Sequence, residues 1–210
     1  ASDAFQHQVR AESILDMGNY LYEAPYISGG FTDAVGFYPP VLNNMAVMLS
    51  TLSGVAVYDT ILFLVFLFVG LSVLLFYFII KKFGKHYALL GIPLSFLLFS
   101  QGPSTGPGPF ASITWGNWPA YMGHFFLICF FWYLTNKDLR QSWIFLAIFV
   151  SSLAFAHQSE LIFAFVFFVV YFVYRLVKKK LSREEMIDYV KAGLVVLVVS
   201  FYFLVVFKFT

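Results

Sequence analysis

Asp3, His7 and Arg10 stand four and three residues apart, so on a helix turning 100° per residue they fall within about 60° of one another. A carboxylate, an imidazole and a guanidinium on one face can take a proton, hold one, or balance an anion. The same spacing also fits an ordinary solvated helix face, and spacing does not separate the two. His157 and Glu160 form a second constellation, three apart in the turn His157-Gln158-Ser159-Glu160 between two apolar stretches. An imidazole and a carboxylate near the membrane interior are costly to desolvate unless they pair or face water. A plain polar turn is the alternative reading. His124 lies almost two turns into the apolar stretch that begins near Trp118. Alone, such a histidine is more often a hydrogen-bonded packing residue than a ligand.

The elements that must position these groups follow from composition and charge. With 60% apolar and 11% charged residues, an ordinary soluble domain is excluded. Of the 13 basic residues, eleven fall in three clusters, 81–85, 137–140 and 175–191, each at the end of an apolar run. Asp3, Glu12, Asp16, Glu23 and Asp33 instead crowd the start, where Arg10 is the one basic residue. Lysine and arginine stay on the cytoplasmic side of a bilayer, whereas acids are largely indifferent. This orients the chain in a cell membrane with residues 1–56 extracytoplasmic and the basic loops cytoplasmic. No basic stripe faces the outer side, so nucleic acid is not an expected partner. The single cysteine, Cys129, excludes an internal disulfide.

About 20 apolar residues cross the hydrocarbon core as a helix. The expected fold is therefore all-α, a polytopic bundle of about six spans at 58–80, 87–100, 118–135, 143–157, 160–177 and 192–207. One continuous helix over 143–177 would be about 52 Å long and would carry its basic end to the wrong side, so a hairpin at His157–Glu160 is expected. Residues 101–116, rich in Gly and Pro, read as a loop. Trp115, Trp118 and Tyr121 read as outer interface markers, and Tyr77, Trp132, Trp143 and Tyr174 as inner ones. The inner loop 178–191 fits a short surface helix with Ser182 as its cap. The outer segment reads as two interfacial helices. One is capped by Ser2 and closed by Gly18; the other runs from Val41 to Ser53 and is stopped by Gly54. The organisation expected is an outer loop, 1–56, followed by a membrane bundle, 57–210. The start on a polar segment and the end just after an apolar run lead us to expect a portion of a longer membrane protein.

The runs Ser2-Asp3-Ala4-Phe5-Gln6-His7, Gly18-Asn19-Tyr20, Phe37-Tyr38-Pro39-Pro40 and Leu52-Ser53-Gly54-Val55 resemble the first extracytoplasmic loop of GT-C superfamily glycosyltransferases. That group includes protein O-mannosyltransferases, lipid A aminoarabinose transferases and the catalytic subunit of oligosaccharyltransferase. The resemblance covers roughly residues 1–160, including Trp115-Gly116-Asn117-Trp118-Pro119 and the histidine turn. It implies transfer of a sugar from a polyprenyl-phosphate carrier to an acceptor on the extracytoplasmic side. Asp3 aligns with the loop aspartate, a catalytic base or metal ligand depending on the branch. Many members carry Asp-Glu there or a second Asp nearby; this chain has Asp3-Ala4 with His7 one turn later, so the role stays open.

Such a transfer needs a base for the acceptor's proton and positive charge for the departing phosphate. His7, Arg10, His124, His157 and Glu160 are the supporting or substrate-binding candidates. A divalent cation could supply charge, with Asp3, His7, His157 and Glu160 as candidate ligands; otherwise the rest of the chain or a partner subunit supplies it. The expected partners are the lipid-linked sugar donor and membrane lipids. Two other functions compete. One is a non-catalytic membrane subunit, or degenerate relative, that binds through its outer loop. The other is a transporter, against which stands the lack of an ionisable residue at mid-depth in any span.

Overall fold

The computed structural model describes residues 2–19, 41–93, 116–136 and 142–209, and the side chains of these except residues 2, 3, 135, 158 and 202–209. Every regular element among them is helical, with no strand. In chain order they are α1 (Ser2–Met17), α2 (Val41–Ser53), α3 (Val57–Lys81), a 3-10 turn (Ala88–Leu90), α4 (Trp118–Thr135), α5 (Trp143–Ala156), α6 (Gln158–Val177) and α7 (Arg183–Phe209).

Local chemistry explains most of the helix ends. Gly18 closes α1, its N–H donating to the Ile14 carbonyl at 2.9 Å. Ser2 falls inside that helix rather than ahead of it as a cap. Gly54 ends α2 with φ +72°, a left-handed conformation that costs glycine nothing and strains any other residue. Ser50 Oγ then donates to the Val55 carbonyl at 2.7 Å, folding the chain from α2 into α3. Pro119, in the first turn of α4, lacks the N–H that would be orphaned there.

Two expectations are corrected here. The α5–α6 turn is one residue rather than four: His157 alone is extended, at φ −161° and ψ 126°, and Glu160 sits in the first turn of α6. A carboxylate there is favoured by the helix dipole and by the free N–H groups. The inner surface helix and the last span are not separate either, because α7 runs unbroken for 27 residues. Ser182 does cap it. Its Oγ accepts the Glu185 N–H at 3.1 Å, and Glu185 Oε2 accepts the Ser182 N–H at 3.2 Å. Of the expected span over 87–100 only 87–93 is described, holding the 3-10 turn Ala88–Leu90; the loop over 101–116 apart from Gly116, the linker between α1 and α2 and the basic cluster 137–140 lie outside the described residues.

α1 and α2 do not stand apart from the bundle. Ala11, Leu42 and Ala46 share one buried cluster with Ile61, Leu64, Val65 and Phe68 of α3 and Trp118, Tyr121 and Met122 of α4. A second cluster gathers Phe130, Tyr133 and Leu134 of α4 around Leu146 and Ala147 of α5, Ala164 of α6 and Ala192 of α7. Phe126 touches both. Trp118 and Tyr121, expected at the lipid interface, are instead 1% and 2% exposed, packed beneath α1 and α3.

Large apolar side chains lie on both sides of the helix contacts, with Trp118, Tyr121, Phe130 and Tyr133 buried inside. Alanines 11, 46, 147, 156, 164 and 192 lie at the helix contacts, while Phe163, Phe165, Val170, Val198 and Phe201 point outward. Small residues between helices and large apolar ones outside is the pattern that lipid rewards. Among the described residues, 57–81 and 159–177 are the helices long and apolar enough to cross a membrane.

Candidate functional site

The site grows from one helix, α4. At its start the Trp118 ring lies between two neighbours: the His7 ring of α1 at 6.0 Å between centroids and the Tyr58 ring of α3 at 5.9 Å. His7 is 4% exposed, so it belongs to the packed interior and not to a solvated triplet with Arg10, which is half-buried. Asp3 lies one turn earlier on α1; its side chain is outside the described ones.

Six residues further along α4, about 9 Å at 1.5 Å per residue, stands His124. Its Nε2 lies 3.3 Å from Glu160 Oε1, and His157 donates from Nδ1 to Glu160 Oε2. One carboxylate is therefore held between two imidazoles from different elements. The exposures differ in a way that assigns roles: the Glu160 side chain is 6% exposed, those of His157 and His124 are 24% and 34%. The carboxylate is the buried anchor and the rings are partly exposed. A carboxylate that fixes the orientation of an imidazole is an arrangement suited to proton transfer, although Nδ1 of His124 is itself buried.

Gly123 makes this geometry possible, and reading the sequence did not single it out. A Cβ there would come within 2.9 Å of both Glu160 Oε2 and His157 Cβ. Only a residue without a side chain lets the α5–α6 corner close on α4. The one signal available was a glycine adjacent to a candidate histidine.

Of the candidate metal ligands Asp3, His7, His157 and Glu160, the Asp3 side chain lies outside the described ones. Among the described residues no three His, Cys, Asp or Glu side chains are grouped to hold a metal ion. The reason is visible in the pairing: each oxygen of Glu160 is turned toward a different ring, and His7 is turned toward Trp118. Of the candidates, the structure brings His124, His157 and Glu160 together, with His7 against Trp118 at the start of the same helix.

The chain belongs to the family of unknown function DUF6541, which matches residues 1–210. No curated protein and no solved structure matches it.

Proposed function

We propose that this is a multi-pass membrane glycosyltransferase of the GT-C type, moving a sugar from a polyprenyl-phosphate carrier to an acceptor on the extracytoplasmic side. In this reading the bundle has about six spans, residues 1–56 face outward, and the basic loops face the cytoplasm. Asp3 serves as the catalytic base and His7 supports the helix that carries it. The observation behind the proposal is that α1 docks through His7 on Trp118, at the outer end of the helix whose His124 engages Glu160. In that arrangement both α1 and α6, each bearing an acid, pack against α4, one at Trp118 and the other at His124. The many large apolar side chains that face outward on α6 and α7, such as Phe163, Phe165, Val198 and Phe201, support the membrane setting.

The test uses the whole protein in membranes, supplied with a polyprenyl-phosphate sugar. Asp3→Asn is expected to lower turnover by at least about 100-fold, the lower range for loss of general-base catalysis. Turnover equal to wild type would remove Asp3 from the reaction. A second reading, a non-catalytic subunit, draws on the closure of Glu160 by two rings, which also suits a purely packing role. Wild-type protein without transfer activity, yet binding the lipid-linked sugar, would select it.

A further inference from the structure

The opposite end of α6 carries a different set of groups. There Arg175 donates to Glu185 Oε1 at 2.7 Å and Oε2 at 2.9 Å, so this cation and this acid are spent on each other. Lys191 engages Asp188 at 3.5 Å. Lys178, Lys179, Lys180 and Arg183 are all exposed beside them, with Glu184 as the remaining acid of that α7 turn. The cluster directly follows 159–177, a helix long and apolar enough to cross a membrane. Its charges therefore sit where headgroups lie.

Going inward from the clasp, the Tyr189 ring meets Phe172 at 6.3 Å and Phe168 at 5.1 Å. Beyond them a cavity of about 220 Å³ opens, lined by Leu161, Ala164, Phe168, Tyr189, Ala192 and Gly193 among others. At about 30 Å³ per water-sized group it has room for roughly seven methylene-sized units. Its lining is almost wholly apolar, and such a cavity does not hold water. Around Gly193 a Cβ would meet nothing within 4 Å.

We propose that the basic end of α6 and α7 and the apolar cavity behind it form one site for an anionic phospholipid, headgroup on Lys178, Lys180 and Arg183 and acyl chain between α6 and α7. Excess positive charge at the mouth and an uncharged interior select a lipid with a negative headgroup over a neutral one. The inference rests on the membrane setting and is independent of the transferase reading.

The experiment purifies the whole protein from bilayers of phosphatidylglycerol and phosphatidylcholine and measures retained lipid by mass spectrometry. Wild type is expected to retain phosphatidylglycerol at least about tenfold above its bulk ratio. The triple variant Lys178→Gln, Lys180→Gln, Arg183→Gln is expected to return to the bulk ratio. Gly193→Leu, which has open space for its side chain, is expected to lose the retained lipid while the protein still purifies as wild type. Retention at the bulk ratio in wild type, or enrichment unchanged in either variant, would overturn the proposal. Displacement of the lipid by inorganic phosphate alone would also overturn it, because the acyl chain would then contribute nothing. Asp3→Asn leaves this readout untouched, so its outcome is separate from the activity test.

Discussion

Each end of α6 holds a carboxylate, and the partners differ in kind. At the first turn Glu160 is 6% exposed and faces two imidazoles, whose charge depends on a bound proton. At the last turn Arg175, charged at any working pH, grips Glu185, and the same Glu185 accepts the Ser182 N–H. Both hold the helix in place. The inner clasp is permanent and redundant, with Tyr171 and the Lys180 carbonyl also accepting from Arg175. The cluster at the first turn is buried, is built on imidazoles rather than a guanidinium, and depends on the tight approach at Gly123. The contrast teaches that the last turn of α6 is built for anchorage, whereas its first turn sets two partly exposed imidazoles against a buried carboxylate, which anchorage alone does not require.

That comparison can be broken by mutation, with unfolding in detergent as the measurement. Replacing both rings, His124→Leu with His157→Leu, leaves Glu160 buried without its imidazoles. A loss of about 3–5 kcal/mol is expected, and a loss under about 1 kcal/mol would mean that Glu160 is not held as described. Gly123→Ala comes next. Its methyl collides with Glu160 and His157 and is expected to cost about 1–3 kcal/mol through overpacking. Because this strain falls on the α5–α6 corner, added Glu160→Ala should relieve part of it; strict additivity of the two substitutions would argue against direct contact.

The inner end should respond less. Ser182→Ala removes the cap of α7 and is expected to cost about 1 kcal/mol; no change would mean that Glu185 holds the turn through Arg175 alone. Lys191→Ala is the smallest, at most about 0.5 kcal/mol, because the pair with Asp188 is long and its lysine is half exposed. A larger effect there would erase the contrast between the two ends.

Much of this architecture is legible in residue order. The bounds of α1, α2 and α4 follow from glycines, a proline in the first turn and apolar run lengths, which act locally. The break at His157 follows from length alone, since a 35-residue helix would overshoot the bilayer. What escapes is what depends on partners far along the chain. His7 is buried because α1 docks on α4, yet α1 itself shows no clear apolar stripe to announce which side faces inward. Trp118 reads as an interface aromatic until α1 and α3 are seen to cover it. The Arg175–Glu185 pair spans a turn between two helices, and no periodicity relates its members. Of the candidate site, the pairing of His157 with Glu160 is a matter of short spacing across the start of α6. The approach of His124 needs the third dimension.

The account depends most on the polar end of α1 and the basic end of α6 lying on opposite sides of one membrane. Single cysteines at Asn19 and Lys179, introduced separately into the whole protein in intact cells, can be probed with a membrane-impermeant maleimide. Asn19→Cys should label without permeabilisation and Lys179→Cys only after it. Labelling of both from the same side would contradict the topology and, with it, the extracytoplasmic site.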